Sequence, residues 1–159
     1  MTRAVDDRSD GELDPAIAER VRQTFDEMPA LDLVGAELAS IGVGRCEVAV
    51  PYRRDLTQQQ GFLHAGVVSM IADTAGGLAA RTMMPPEKTV LAVEFKINLM
   101  SPAIGDRFHA VARVLKPGRT LTICEIDVYA ETGGDQGRDG EGRRHCARMQ
   151  QTCIAIDRR

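Results

Sequence analysis

The stretch Gly61-Phe62-Leu63-His64-Ala65-Gly66-Val67-Val68-Ser69-Met70-Ile71-Ala72-Asp73-Thr74-Ala75-Gly76-Gly77-Leu78-Ala79-Ala80 decides how this chain folds. From His64 to Met83 it reads as the longest helix of the sequence, stopped by Pro85-Pro86, and it is built largely of small residues. Gly66, Gly76 and Gly77 each cost about 1 kcal/mol relative to alanine inside a helix, so close backbone packing has to compensate. The helix is therefore expected to be tightly enclosed. Asp73 sits in its middle, and a carboxylate there needs either a solvated stripe, a neighbouring hydroxyl such as Thr74, or a chemical task.

Working outward, Pro15 sits at a helix start and Ile17, Val21, Phe25 and Met28 recur at helical spacing up to Pro29. Leu33–Ser40 and Val43–Val50 read as two strands joined near Gly42, and Tyr52–Leu63 as a polar loop centred on Gln58-Gln59-Gln60-Gly61. Beyond the helix, Thr89–Leu99 alternates, with Leu91, Val93, Phe95, Ile97 and Leu99 on one face of a half-buried strand. Asp106–Leu115 repeats the pattern, Lys116-Pro117-Gly118-Arg119 predicts a type II turn, and Thr120–Ala130 continues as a strand. Glu131–Arg144 is a glycine-rich loop and His145–Ile156 the last strand. Antiparallel strands around one small-residue helix define an α+β fold whose sheet curls over that helix. Residues 1–14 read as a charged, mobile tail and 15–159 as one domain.

At 159 residues and 17.3 kDa, with 43% hydrophobic and 27% charged residues, the chain suits a single domain with a real core. Its 20 basic and 23 acidic residues give a net charge of -3, which lacks the basic excess that nucleic-acid binding draws on. No run of residues is apolar enough to span a bilayer, and the charged N-terminus is neither signal peptide nor anchor, so no membrane partner is expected. Cys46, Cys124, Cys146 and Cys153 contain no C-x-x-C pair and read as free thiols of a cytoplasmic protein. Cys146 and Cys153 are an odd number of residues apart, which places them on opposite faces of a regular strand. His64, His109 and His145 are too scattered for a zinc site, so no metal is expected.

At the loop-to-helix junction Gly61–Gly66, unpaired backbone N–H groups and the positive end of the helix dipole can receive a carbonyl oxygen as it gains negative charge. Asp73 lies two turns beyond Gly66, roughly 10 Å along the axis, so one helix does not easily bring both groups to one carbonyl carbon. Two antiparallel copies in a symmetric dimer do, with the donors of one chain facing the Asp of the other.

Gln58-x-x-Gly61-x-Leu63-His64-Ala65-Gly66, then Ala72-Asp73-Thr74-Ala75, Val93-Glu94-Phe95-x-x-x-Leu99-x-x-Pro102-Ala103 and Leu115-Lys116-Pro117-Gly118-Arg119-Thr120 together resemble the hotdog-fold acyl-CoA thioesterases of the phenylacetate-pathway type, over about Leu33 to Ile156. The resemblance implies a hotdog fold, assembly as homodimers or homotetramers, and hydrolysis of acyl-CoA thioesters, the CoA thioester being substrate and no further cofactor being needed. It implies that Asp73 is nucleophile or general base, that the amide of Ala65 polarises the thioester carbonyl, and that Gln58 places water or substrate. His64 and Gly66 complete the motif, with His64 fixing the loop by hydrogen bonds. A water-positioning hydroxyl is expected from Thr74 or Thr89, and Lys116 and Arg119, with Arg143, Arg144 and Arg148, are candidates for the CoA phosphates. Ala65 replaces the glycine usual in the family, Ala92 a hydroxyl residue, and Gln58 an asparagine. The first two departures motivate an alternative reading, a non-catalytic acyl-CoA-binding hotdog protein. A third reading, a hydratase, would need His64 and Asp73 to act as a pair, and they lie out of phase on one helix.

Overall fold

The structure, a computed structural model, describes residues 12–133 and 142–157. Most of the expected tail (1–11) and the middle of the glycine-rich loop (134–141) lie outside the described residues. The element order is α1 (Pro15–Asp26), α2 (Pro29–Val34), β1 (Glu37–Gly42), β2 (Arg45–Pro51), α3 (Ala65–Arg81), β3 (Lys88–Leu99), β4 (Arg107–Lys116), β5 (Leu121–Glu131) and β6 (Arg143–Asp157). The six strands form one antiparallel sheet in the order β1-β2-β4-β5-β6-β3, curled around α3. Among the described residues, no helix is long and apolar enough to cross a membrane.

Strand alternation supplies the wall on which α3 lies. On β5, Thr122, Cys124, Ile126, Val128 and Ala130 are buried, and the register sets Val48, Ala110, Val128 and Ala147 in one row across four strands. Ile71, Ala75, Leu78 and Ala79 of α3 close the core against this wall. Each fully buried Ile, Leu or Phe here contributes about 2 kcal/mol of transfer free energy. Asp14 caps α1, its Oδ1 accepting from the Ala16 N–H at 2.7 Å, and Pro15 occupies the first helical position.

Five sequence expectations need correction. Leu33 and Val34 do not start a strand. Pro29 opens the short helix α2, which buries Leu31 and Val34 one turn apart and ends at Gly35 in the left-handed region (φ 68°). Gly118 does not have the positive φ of a type II turn. Glycine is needed there for room, because a Cβ would sit 2.2 Å from the carbonyl oxygen of Leu121. Cys146 and Cys153 are both buried on the same side, because the β5–β6 register shifts between Val128 and Tyr129, leaving Cys146 as an extra residue that resets the alternation.

The same device splits β3. The register shifts between Ala92 and Glu94, so Leu91, opposite Ile154, lies on the outer face, while Phe95, opposite the buried Gln151, lies on the inner one. Nor is β3 half-buried within one chain. It is the sheet's edge, with Val93, Phe95 and Leu99 still 56%, 47% and 56% exposed, and among the described residues nothing pairs with its free side.

Candidate active site

The N-terminus of α3 is set by His64. Its backbone is extended (φ -63°, ψ 136°) and its Nδ1 accepts from the Gly66 N–H at 2.9 Å, so the histidine side chain is the helix cap. Two further backbone bonds anchor the junction: the His64 N–H to the Leu56 carbonyl at 2.9 Å and the Leu63 N–H to the Ala103 carbonyl at 3.1 Å. Between these engaged groups, the Ala65 N–H has no acceptor among the described residues. It is a first-turn donor at the positive end of a 17-residue helix. It borders a cavity of about 320 Å³ whose walls include Gln58, Phe62, Val68, Leu99 and Met100. The arrangement offers one unpaired amide and one side-chain amide beside an apolar hollow, which suits a carbonyl carrying an apolar acyl group.

Gln58 is held on its loop. Its backbone N–H donates to Phe62 at 2.9 Å, its carbonyl accepts from Gly61 at 3.0 Å, and its side-chain oxygen accepts from the Gln60 N–H. The polar run singled out in the sequence is thus a built turn that carries Gln58 to the cavity wall.

Asp73 does not line that cavity. It lies in a separate hollow of about 140 Å³ with Thr74, Gly77, Val90, Ala92 and Gln151. Partial burial pushes its carboxyl above the usual carboxylate range, and a hydrogen bond from Gln151 works in the opposite direction. Gln151 Nε2 donates to Asp73 Oδ1 at 2.6 Å and to the Asp73 carbonyl at 3.1 Å, so the carboxylate is held from β6 and not by Thr74. Oδ2 has no hydrogen-bond partner among the described residues.

The remaining expected residues are spread out. Thr74 shares the Asp73 hollow, whereas Thr89 pairs with Ile156, next to Val90 in the strand and on the opposite face, and does not reach it. Lys116 and Arg119 are exposed around the β4–β5 turn, at the end of the molecule where Gly44 and Val114 meet Thr82 and Met83 beyond the C-terminus of α3. Arg143 is engaged with Glu47 and Glu131, and Arg148 with Glu125 and Asp127, on the sheet's outer face. Sequence reasoning missed Gln151, whose burial depends on the register of β6; the only trace of it in the sequence is the glycine at position 76, which it packs against.

The family profile described as Thioesterase superfamily matches residues 60–136, from the turn before α3 into the loop after β5. A crystal structure of a thioesterase family protein from Silicibacter pomeroyi is 44% identical, with a TM-score of 0.82 over 89% of this chain and 99% of that one. Acyl-coenzyme A thioesterase 13 of Mus musculus is 30% identical across 63% of this chain and 70% of its own. The PaaI protein of the Escherichia coli phenylacetic acid degradation operon, at 16% identity and a TM-score of 0.77 over 91% of this chain and 96% of that one, shares the fold. The chain belongs to the thioesterase superfamily. Its fold is the hotdog, and it is an enzyme of the thioester-hydrolase class.

Proposed function

We propose that this protein hydrolyses acyl-CoA thioesters to the free acid and CoA, in a cytoplasmic dimer or tetramer whose active sites each draw on two chains. The observation that carries the reading is the pairing of an unengaged Ala65 N–H, at an apolar cavity, with a half-buried Asp73 carboxylate in a second hollow farther along the same helix. The eight-residue separation from Ala65 to Asp73 is about 12 Å at 1.5 Å per residue, too far for both to act on one carbonyl within one chain. The exposed apolar edge strand β3 offers the route to a second copy, since such an edge is a template for pairing. A two-fold axis through β3 runs the two α3 helices antiparallel and brings the Ala65 end of one toward Asp73 of the other.

In this site the Ala65 N–H and Gln58 receive the thioester carbonyl. Asp73 then acts through its free oxygen. As general base it takes a proton from water, whose oxygen bonds to the acyl carbon; the C–S bond breaks and the thiolate leaves to be protonated. As nucleophile it bonds to the acyl carbon itself, expels the thiolate, and leaves a mixed anhydride that water opens. In this reading Thr74, in the same hollow as Asp73, orients the water, and Lys116 and Arg119 meet phosphates of a CoA reaching across the dimer.

The test is release of free thiol from a panel of aryl-, short- and medium-chain acyl-CoA thioesters. Turnover on at least one is expected; tight binding of all with no thiol released would instead make the chain a binder. Phe95→Glu, which places a charge on the exposed edge, is expected to shift sedimentation to a monomer and to remove activity in proportion. A monomer with full activity would remove the need for a second chain.

A further inference from the structure

Gln151 is the most unusual polar residue of the interior. It is 1% exposed, it faces α3 from β6, and its Oε1 is buried with no hydrogen-bond partner among the described residues, while its Nε2 makes two bonds to the same residue, Asp73. A buried amide with one end unsatisfied is costly, and the structure makes special room for it. A Cβ on Gly76 would stand 2.0 Å from Gln151 Oε1 and 2.9 Å from the Ile126 side chain, so the notch at Gly76 is filled by this amide. Gly77, one residue on, meets nothing closer than Val90 at 4.0 Å. Helix propensity and an unsatisfied oxygen both argue against this pair of residues, yet the two choices fit each other.

We infer that Gln151 is the positioning residue of Asp73, seated by the Gly76 notch, and that it pins Oδ1 so that Oδ2 is the single oxygen left for chemistry. The inference rests on the assignment of Asp73 as the acting carboxylate. It makes the β6 side chain, from outside the helix and the loop that carry the motif, part of what sets the reactivity of the site. Among the described residues no other charged side chain lines the hollow; on the strands behind it lie the buried thiols of Cys153 on β6, whose ionisation the Asp73 charge opposes, and of Cys124 on β5, which interacts with Cys153.

The experiment measures kcat, KM and the pH–rate profile of Gln151→Met, Gly76→Ala and Asp73→Asn, with Gln151→Met also combined with Asp73→Asn. Methionine keeps the volume and removes the donor; alanine at 76 leaves the donor present but displaces it. Gln151→Met is expected to lower kcat about 10- to 100-fold with KM nearly unchanged, as a slightly misplaced catalytic group does. Its acid limb moves to higher pH, since burial then acts on Asp73 without the opposing hydrogen bond. Gly76→Ala shifts both in the same direction, and carries the test alone if Gln151→Met does not fold. In the Asp73→Asn background Gln151→Met adds no further loss. A wild-type kcat and unmoved acid limb in both single variants, or an equal loss in the Asp73→Asn background, overturns the role of Gln151. An active Asp73→Asn protein overturns the assignment of Asp73 instead, so the two failures are distinct.

Discussion

Asp73→Asn is expected to turn over thioester at least about 10²-fold more slowly than wild type, the contribution typical of a lost general base or nucleophile, while folding normally. Asparagine has nearly the same shape and can still accept from Gln151 Nε2 through its side-chain oxygen, so the hollow keeps its geometry and loses only the charge. The same variant is expected to be more stable than wild type at neutral pH. Burial raises the Asp73 carboxyl in the folded chain above its unfolded value near 3.8, so the folded state binds this proton more tightly. As pH climbs from the ordinary carboxylate range through that raised value, the folded chain loses stability, and above it the penalty is complete. Asparagine carries no such penalty. Melting temperatures should therefore show Asp73→Asn ahead of wild type at pH 7, with the gap closing on acidification below the unfolded value. A variant both inactive and less stable at pH 7 would mean that Asp73 is structural.

Ala65→Pro is the second large effect, about 10²- to 10³-fold in kcat, the usual loss on removing one oxyanion donor. Proline at this position replaces the amide hydrogen with the ring Cδ, so the donor is lost. Ala65 is the first helical residue, where proline is tolerated, and His64 before it already has the extended backbone (φ -63°, ψ 136°) that a following proline requires. The Ala65 N–H has no partner among the described residues, so no hydrogen bond of the fold is lost. The expected protein melts like wild type and hydrolyses CoA thioester slowly. Full activity would mean that the carbonyl is held elsewhere.

Much of this could be seen in the sequence because it is local. The start of α3, its small-residue composition and Asp73 in its middle are properties of one contiguous stretch, and the alternation of β4 and β5 is unbroken. The rise per residue of a helix was enough to separate the Ala65 and Asp73 ends of the site. What could not be seen is set by pairing between distant strands. One extra residue at Val93 and one at Cys146 reverse which face each half-strand presents, and nothing local in either stretch marks the shift. Nothing local in Gln150-Gln151 marks either residue as buried, and it is the register of β6 that turns Gln151 under the helix. The Pro29 helix was hidden for another reason: six residues with two buried side chains carry too little periodicity to compete with a strand reading.

If each active site takes its donor from one chain and its carboxylate from the other, two inactive proteins restore activity when mixed. Asp73→Asn and Ala65→Pro chains, unfolded together and refolded, should form mixed dimers in which one site has both an intact Ala65 N–H and an intact Asp73, while the other has neither. With random assortment half the dimers are mixed and each holds one good site of two, so activity should recover to about a quarter of wild type. Recovery of that size in the mixture, absent from either protein refolded alone, is the predicted result. A mixture no more active than the sum of its parents would place donor and carboxylate in the same chain and contradict the shared site.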